Sequence, residues 1–442
     1  MVRLTGTFSR IGVCKVLVAG DIFLDTYTIG KAKRISPEAP VAVIQVHHEE
    51  HRPGGAGNVI LNLVSLGAEV VALGRIGDDS AGKKLTHSFI EESVSVEGIF
   101  TQKEYSTPVK NRIIAENQQI VRVDHEELKN ISPELEQGII DQLPELFQGV
   151  QVVAISDYGK GFLSKTLLKH IIQYAKERNL PVVTDPKGIE FDKYTGTTLI
   201  KPNLGEAYAA ANLPLDAPIA HVAERILSLS KADMVMITRS EAGISLFHRD
   251  GTRQDYPVRI REIKDVTGAG DTVLAMLTCA MANGLAMDET VQLCNVAAGI
   301  AIERFGCARV SLSDLAKRLL EFDVVNKVFD EEHLFALQEA LRGKNVSLLG
   351  ISGEAGLTTA IFGTVRKLAH REGWDLLIYI RDPNPDEEFV NMLASLHDVD
   401  FIILNTDSLR NLCNLIEPDE VYNLQEGVLN KLEHVEHFLS EI

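Results

Sequence analysis

The stretch that most constrains this 442-residue chain is the string DVTGAGD at residues 265–271, which an apolar run follows at once. That run, TVLAMLTCAMANGL, predicts a helix, so the small residues Gly268, Ala269 and Gly270 stand at its N-terminus. Small residues let an anion approach the N–H groups of the first turn, where the helix dipole is electropositive. Asp271 repels an anion but can take a proton from a hydroxyl that attacks one. The string predicts an anion site with a general base; a plain Gly-containing turn has the same letters.

Size and charge limit the classes of function. The length predicts two domains, or one large and one small, at roughly 100 to 200 residues per domain. The net charge of −18 argues against a nucleic-acid surface, because phosphate backbones require basic patches. Residues 331–442 hold 20 Asp and Glu against 8 Lys and Arg, so most of the negative charge lies near the C-terminal end.

Targeting signals are not evident. A composition of 45% hydrophobic and 24% charged residues is typical of globular proteins, and no apolar run approaches the roughly 18 residues of a membrane helix. The N-terminus has no uninterrupted apolar stretch of a secretory signal. The five cysteines are scattered without a CxxC pair, which favours buried thiols in a reducing compartment. We expect a cytoplasmic protein without a membrane partner.

Two carboxylates follow the first predicted strand. The run KVLVA at residues 15–19 predicts a strand that ends before Asp21, and Asp25 follows in GDIFLD. Carboxylates at a strand end accept directed hydrogen bonds from sugar hydroxyls, which makes both residues candidates for substrate binding. Alternatively, Asp21 merely ends the strand.

A second strand, VAVIQV at residues 41–46, begins before any helix has closed the first unit, which predicts a small sheet or lid beside the main domain. Next, Gly54 and Gly55 precede the apolar-periodic run that Asn58 opens. The glycines allow close approach of a ligand, and Asn58 offers both a donor and an acceptor to its hydroxyls.

Residues 108–115 and 120–124 predict a hairpin that carries Lys110 and Arg112. The two cations could close over an anionic substrate from the lid. From residue 150 onward, strands and helices alternate, which is the pattern of an α/β domain with its function at the carboxyl ends of parallel strands. Polar pairs at four of these strand ends are Asp157 with Lys160, Asp185 with Lys187, Asn203 with Glu206, and Arg239 with Glu241.

The pairs suggest two kinds of site. Lys160 and Lys187 predict an anion site, although each could be a solvated loop charge. Asn203 and Glu206 stand three residues apart at a predicted helix start. This pair could hold a hydrated Mg²⁺ near phosphates, because Mg²⁺ keeps water ligands and needs few carboxylates.

Five motifs carry a family resemblance. GDIFLD, GGAGN, KPNLGEA, TRSEAG and DVTGAGD, in this order, resemble the ribokinase (PfkB) family of carbohydrate kinases over roughly residues 12–320. The resemblance implies a three-layer α/β/α domain with a small β-sheet lid. RISPEAPV, NQQIVRVD, SDYGKG and DPKG are similar to the heptose branch of that family. This branch implies ATP-dependent phosphorylation of D-glycero-β-D-manno-heptose 7-phosphate at C1, on the route to ADP-heptose, a lipopolysaccharide core precursor.

The resemblance also implies roles for residues. Asp271 is similar to the catalytic base, and the three small residues before it to the anion hole. The positions similar to sugar-binding residues are Asp25, Gly54, Gly55 and Asn58. The positions that match the binding elements for ATP and Mg²⁺ are Asn203, Glu206, Thr238, Arg239, Gly243 and Asn295, with Glu206 holding Mg²⁺ through water. For the phosphate of the substrate we expect Lys160 and Lys187, with Lys110 or Arg112 reaching from the lid.

A second domain follows the first. We predict a kinase domain over residues 1–325, a linker over 326–335 and a smaller, Rossmann-like α/β domain over 336–442, which resembles a nucleotidylyltransferase. Such domains carry an HxGH element at a helix start, where this chain has GLTT at residues 356–359. Both histidines are missing, and the acidic balance repels a triphosphate. We therefore expect a degenerate transferase fold, with an atypical second active site as the alternative. By resemblance we also expect a homodimer.

Overall fold

A computed structural model divides the described chain into two compact units. It describes residues 8, 10–116, 118–258, 263–304, 306–323, 327–329, 334–354, 356–369, 371, 373–382, 385–396, 398–404, 413–414 and 417–432. The larger unit is Ile11–Ser311, and the smaller contains Phe8, Arg10 and the described residues from Leu312 onward. The division falls before the predicted boundary near residue 325, because the helix that begins at Leu312 packs within the smaller unit.

The larger unit alternates strands and helices as the sequence predicts. Its strands are β1 (Lys15–Gly20), β2 (Ile22–Ile35), β3 (Ala42–Gly55), β4 (Glu69–Ile76), β5 (Ser95–Thr101), β6 (Val109–Ala115), β7 (Gln118–His125), β8 (Val152–Ser156), β9 (Val182–Asp185), β10 (Leu199–Ile200), β11 (Met234–Thr238), β12 (Ile244–His248) and β13 (Arg253–Tyr256). Its helices are α1 (Ala56–Ser65), α2 (Ser80–Glu91), α3 (Pro133–Leu146), α4 (Lys165–Glu177), α5 (Leu204–Ala211), α6 (Ile219–Ser230), α7 (Ala269–Ala282) and α8 (Met287–Ile302).

The main sheet of the larger unit has, among the described residues, nine strands in the order β13-β12-β11-β10-β9-β8-β1-β4-β5. All neighbours from β11 to β5 pair in parallel, and β12 and β13 add an antiparallel edge. The carboxyl ends of β1, β8, β9, β10 and β11 therefore meet at one edge of the sheet. In open α/β sheets this edge is where ligands bind.

Helices cover both faces of this sheet, as β1 shows. Leu17 and Ala19 belong to a core cluster that includes residues of α3, α4 and α6. Their neighbours Val16 and Val18 point to the opposite face and are also fully buried, since successive side chains of a strand alternate between faces. On that face α1 and α7 contact β1. The arrangement is the predicted α/β/α sandwich, whose central strands read as continuous apolar runs because both faces are buried.

Helix α7 is largely enclosed. Every residue from Asp271 to Ala280 is buried, and the helix packs against α1 and α8. An apolar surface on all sides explains the run TVLAMLTCAM, which has little amphipathic pattern. The burial carries the carboxylate at the helix start into the interior of the unit.

A four-stranded sheet in the order β3-β2-β6-β7 forms the predicted lid. β2 pairs antiparallel with β3 and parallel with β6. β2 is buried at its start and exposed from Lys31 to Ile35, and β7 is exposed throughout. The sequence predicts that Asp25 lies in a loop. Asp25 lies instead within β2, because this strand begins directly after Asp21.

The smaller unit is a Rossmann-like α/β fold. Its described elements are α9 (Leu312–Asp323), β14 (Val328–Phe329), α10 (Leu334–Leu341), β15 (Asn345–Ile351), α11 (Thr359–Ala369), β16 (Trp374–Ile380), α12 (Glu387–Ser395), β17 (Phe401–Ile403), β18 (Glu420–Gln425) and β19 (Val428–Leu432). The sheet has the order β14-β17-β16-β15-β18-β19, with β18 and β19 antiparallel. β14 lies within the segment predicted as a linker and pairs with β17, so part of that segment belongs to the sheet.

Candidate active site

The start of α7 has the backbone geometry that its glycines predict. Gly268 caps the helix with φ 79° and ψ −1°, in the left-handed region. A Cβ on Gly268 would lie 2.8 Å from Nδ2 of Asn58, so a larger residue would displace that amide. The N–H of Thr272 donates to the Gly268 carbonyl at 3.0 Å, which begins the intrahelical ladder. The N–H groups before it stand at the helix N-terminus, where Gly268, Ala269 and Gly270 line a cavity.

Asp271 lies at this cavity and is 4% exposed. Its two carboxylate oxygens have different donors: Nδ2 of Asn58 donates to Oδ2 at 2.8 Å, and the Tyr158 hydroxyl donates to Oδ1 at 2.7 Å. Burial raises the pKa of Asp271 to about 6, while these two hydrogen bonds act in the opposite direction. A carboxylate with a pKa close to neutrality is suited to take a proton at physiological pH.

The cavity has a volume of about 550 Å³ and lies at the carboxyl ends of the parallel strands. Lys201 follows β10, is 3% exposed and ion-pairs with Asp185 at 2.9 Å. A Cβ on Gly270 would lie 3.8 Å from Nζ of Lys201, so this cation is next to the start of α7. Burial raises the pKa of Asp185 even though Lys201 opposes that shift. A helix N-terminus and a buried lysine together form an anion site.

Asn203 and Glu206 form a capping box at the start of α5. The Asn203 side chain accepts the N–H of Glu206 at 2.9 Å, and Glu206 accepts the N–H of Asn203 at 3.1 Å. Lys187 ion-pairs with Glu206 at 2.7 Å. All three residues line the cavity, so the structure brings Lys187 to the residues predicted for Mg²⁺ and ATP.

Most residues predicted for the nucleotide lie along the same cavity. Thr238 bridges to Asn203, and Asn295 donates to the Tyr256 carbonyl at 3.1 Å. Gly243 has φ 82°, and its Cβ would lie 2.0 Å from that same carbonyl. Arg239 is not among the lining residues and lies 3.4 Å from Asp255. The apolar part of the wall comprises Ile244, Val258, Ile263, Val266, Val273, Ala298 and Ile302.

The residues predicted for the sugar lie close to Asp271. Asn58 contacts Asp271 directly. Asp25 is 2% exposed and accepts a hydrogen bond from Arg112, which ion-pairs with it across the small sheet. A Cβ on Gly54 would lie 2.3 Å from Oδ2 of Asp25, and Gly55 has φ 61°. Both glycines are therefore required for this close packing.

The carboxylate of Asp21 is hydrogen-bonded to the backbone of a neighbouring loop. Its carboxylate accepts the N–H groups of Tyr158, Lys160 and Phe162 at 2.9, 3.0 and 3.4 Å. Asp21 is 3% exposed, and burial raises its pKa. These contacts favour the alternative interpretation, in which Asp21 is a structural residue at the end of β1; its contact with a substrate stays a prediction.

The two remaining lysines have other neighbours than Lys187 has. Nζ of Lys160 ion-pairs with Glu126 at 2.7 Å. Nζ of Lys110 lies 4.0 Å from the centre of the Phe23 ring, and burial, together with the charge of Lys160, lowers the pKa of Lys110. Lys110 and Lys160 therefore lie near each other, with the carboxylates of Asp25, Asp124 and Glu126 around them.

Sequence reasoning did not assign roles to Tyr158 or Lys201. Both belong to motifs that carry the family resemblance, SDYGKG and KPNLGEA, and both follow apolar strands directly. That position is a usable signal, because residues at carboxyl ends of parallel strands converge. Their partners, Asp271 and Asp185, become evident only in three dimensions.

The smaller unit has a cavity of its own, of about 950 Å³, at the carboxyl end of β15. Thr358 accepts the N–H of Ile361 at 3.2 Å and so caps α11 in the stretch where HxGH is expected. Among the described lining residues, Arg381 is the one basic side chain, against the acidic Glu354 and Glu426.

Comparison with known proteins decides the family. The sequence model described as pfkB family carbohydrate kinase matches residues 15–314. The chain belongs to the pfkB family of carbohydrate kinases. This kinase is 37% identical to the bifunctional protein HldE of Trichlorobacter lovleyi, over 96% of this chain and 91% of that protein. It is 38% identical to the bifunctional protein HldE of Geobacter sulfurreducens, over 93% of this chain and 88% of that protein. Both alignments extend beyond the matched kinase segment.

Solved structures confirm the predicted fold of this kinase. Phosphofructokinase-2 from Escherichia coli, in complex with fructose-6-phosphate, superposes with a TM-score of 0.57 at 20% identity, over 71% of this chain and all of that one. A ribokinase of Arabidopsis thaliana, complexed with ribose and ATP, gives a TM-score of 0.54 at 16% identity, over 70% and 99%. Membership of the family makes the chain a sugar kinase and implies ATP as the phosphoryl donor. No described helix is long and apolar enough to span a bilayer.

Proposed function

We propose that the chain transfers the γ-phosphoryl group of ATP to C1 of D-glycero-β-D-manno-heptose 7-phosphate, giving the 1,7-bisphosphate for ADP-heptose synthesis in the cytoplasm. The observation that carries the chemistry is the buried Asp271 carboxylate at the N-terminus of α7, beside the Lys201 cation. The acceptor is supported by the motifs of the heptose branch and by the similarity to bifunctional HldE proteins over both units.

Asp271 is the general base of this proposal. It takes the proton of the anomeric hydroxyl, whose oxygen attacks the γ-phosphorus as the bond to the ADP oxygen breaks. Asn58, which donates to Asp271, and Asp25, whose Oδ2 lies 3.9 Å from the Cys307 thiol, would hold the sugar that carries this hydroxyl. The carboxylate can act at neutral pH because its pKa of about 6 leaves it ionised there.

The negative charge of the phosphoryl group in transfer would be stabilised by protein groups that are in position before ATP binds. The first turn of α7 and Lys201 line the same cavity. Because this site excludes much of the solvent, fixed dipoles and charges act more strongly there than in water. The helix N-terminus and Lys201 together would stabilise the negative charge of the transition state.

The donors around Asn203 fit Mg²⁺. Asn203, Glu206 and Asp185 present oxygen atoms to one cavity, and oxygen is the ligand that Mg²⁺ prefers. Among the described residues, no three His, Cys, Asp or Glu side chains cluster into a metal cage. In this proposal Glu206 would hold the ion through water, together with the phosphates of ATP. When bound, Mg²⁺ would neutralise charge on those phosphates.

For the smaller unit we propose a fold without nucleotidyl transfer, retained for packing or for a partner. The cap of α11 is Thr358, and among the described residues that line the cavity two of the three charged side chains are acidic. Pyrophosphate release from any nucleoside triphosphate with heptose 1-phosphate would contradict this proposal. It would favour the alternative of a bifunctional enzyme with an atypical second site.

We further propose a homodimer that forms through the small sheet. Apolar side chains are exposed on this sheet and the turn beside it, at Ile35, Val41, Val46, Ile120 and Val121. Exposed apolar patches on a sheet are typical of interaction surfaces. Light scattering on the full chain tests this: we expect twice the monomer mass of 48.6 kDa, and a monomeric mass would contradict it.

The acceptor is the part of the proposal that most needs a test, because the family motifs specify phosphoryl transfer better than they specify the sugar. ADP release is measured with ATP and a panel of sugars and sugar phosphates. We expect the heptose 7-phosphate to give the highest kcat/KM. A higher value for another sugar or sugar phosphate would identify this chain as a kinase of a different acceptor.

A further inference from the structure

We propose that Tyr158 is a positioning residue for the general base: its hydroxyl fixes the direction of the Asp271 carboxylate and keeps it ionised for the acceptor hydroxyl. The inference rests on the proposed role of Asp271 in phosphoryl transfer and does not depend on which sugar accepts the phosphoryl group.

The contact itself is direct. The Tyr158 hydroxyl lies 2.7 Å from Oδ1 of Asp271, and the two residues are 113 positions apart in the chain. A phenol can only donate to an ionised carboxylate, so the contact favours the basic form of Asp271. The Tyr158 ring also packs edge-on against Phe23, with ring centres 5.3 Å apart at 76°. Nζ of Lys110 lies 5.7 Å from the centre of the Tyr158 ring.

The loop that carries Tyr158 is held from two sides. Asp21 accepts three N–H groups from residues 158–162. Arg75, which is 2% exposed, donates to the Lys160 carbonyl at 2.7 Å and to Gln102 at 2.9 Å. Burying charged groups costs free energy, and here the hydrogen bonds of two such groups go to the backbone of one loop. This arrangement is expected where the loop must be rigid. These hydrogen bonds explain how a phenol in an irregular segment is kept at a fixed distance from the base.

Tyr158 and Asn58 bind different oxygens of the Asp271 carboxylate. Asn58 donates to Oδ2 and Tyr158 to Oδ1, so each oxygen has one donor and keeps lone pairs for a third partner. A carboxylate held at both oxygens cannot rotate about its Cβ–Cγ bond. The acceptor hydroxyl would then meet a base whose direction is set before it binds.

Other charged and titratable groups also face Asp271. Asp185 raises the pKa of Asp271 and Lys201 lowers it, but both act less than burial and the two hydrogen bonds. The Cys307 thiol is also close, and burial raises its pKa to about 12, so it is neutral at physiological pH. The Tyr158 contact is therefore one of the two hydrogen bonds that offset the burial of the base.

The test is Tyr158→Phe in the full chain, which removes the donor and keeps the ring that packs on Phe23. The variant should have a higher pKa at Asp271, because the ionised form loses a donor. We expect the acidic limb of the kcat profile to move up by roughly one pH unit, with kcat near neutrality about tenfold lower and KM changed less than about twofold. Part of kcat should return at alkaline pH.

A matched control is Tyr194→Phe. The Tyr194 hydroxyl is equally engaged with a carboxylate, donating to Asp157 at 2.7 Å, but no hydrogen bond of the described structure joins it to Asp271. This variant can lose stability but should leave the acidic limb in place. A uniform loss of kcat at all pH values in Tyr158→Phe, with an unmoved limb, would overturn the proposal and indicate a structural role.

A second readout separates this inference from the proposed function. The ¹³C shift of the Asp271 carboxyl, assigned by its absence in Asp271→Asn, reports the ionisation of that group without any substrate. We expect a higher titration midpoint in Tyr158→Phe than in the wild type. An equal midpoint would refute the inference, whereas a wild type that phosphorylates no sugar would contradict the proposed function alone.

Discussion

Each unit presents a helix N-terminus at the carboxyl end of a parallel sheet, but the two helix starts differ in chemistry. At α7, the glycine cap leaves room for an anion, and Asp271 has a donor on each oxygen. At α11, Thr358 caps the helix, and Glu354 and Glu426 line the cavity with Arg381. The same strand and helix arrangement can therefore form a phosphate site in either unit, and a few side chains determine whether phosphoryl transfer is possible there.

The largest expected effect comes from removing the base at α7. Asp271→Asn should lower kcat by about 10³-fold, within the range for loss of a general base. The exposed Asp216→Asn is a matched control that should leave turnover unchanged. Turnover in Asp271→Asn within tenfold of the wild type would show that another group takes the proton.

The same substitution should not unfold the protein. The pKa of Asp271 is raised from 3.8 to about 6 on folding, so ionisation opposes folding at neutral pH by up to about 3 kcal/mol. Asp271→Asn should therefore be at least as stable as the wild type above pH 6. This advantage should disappear as the pH falls toward 4, where the native carboxyl is protonated. Thermal unfolding at both pH values measures it.

The next effect concerns the cation beside α7. Lys201→Met should lower kcat by about 10²-fold, because a fixed charge toward the transferring group is lost. It should also destabilise the unit, since the partly buried Asp185 loses its partner. The double variant Asp185→Asn with Lys201→Met should recover much of the stability but not the turnover. Recovery of turnover as well would assign Lys201 a purely structural role.

A smaller effect is expected from pH. Because the pKa of Asp271 is about 6, kcat/KM should fall roughly tenfold for each pH unit below that value. The second ionisation of a sugar phosphate lies in the same range, so the profile must be repeated with an acceptor that carries no phosphate. A flat profile down to pH 5 with that acceptor would contradict the assignment of Asp271.

The smallest effect should come from the smaller unit. Arg381→Ala removes the one basic side chain among the described residues that line its cavity. We expect sugar phosphorylation to stay within about twofold of the wild type, since surface and remote substitutions rarely alter a distant site. A tenfold change in kcat would show that the two helix starts are functionally coupled.

Much of the fold could be predicted from local patterns. The runs KVLVA and VAVIQV lie in β1 and β3, the hairpin at residues 108–124 matches β6 and β7, and the DVTGAGD string ends in α7. These predictions succeed because apolar periodicity and glycine position are local properties. The prediction that Asp25 lies in a loop was wrong, because a single residue, Asp21, separates β1 from β2, and Asp25 lies within β2.

Less of the candidate active site than of the fold could be predicted from the sequence. Asp271 could be proposed as a base because a carboxylate beside small residues at a helix start suits proton transfer next to an anion site. Tyr158 and Lys201 could not, because their roles depend on partners that packing brings from 113 and 16 residues away. The hydrogen bonds that Asp21 accepts from backbone N–H groups likewise become evident only in the folded chain.

The most direct measurement is ³¹P NMR of the product formed from ATP and D-glycero-β-D-manno-heptose 7-phosphate. We predict one new sugar phosphate signal, from a phosphate at C1 of the β-anomer, in equal amount to the ADP formed, and no such signal with Asp271→Asn. A phosphate at another carbon, or an unchanged signal in the Asp271→Asn variant, would contradict the proposed role of the α7 site.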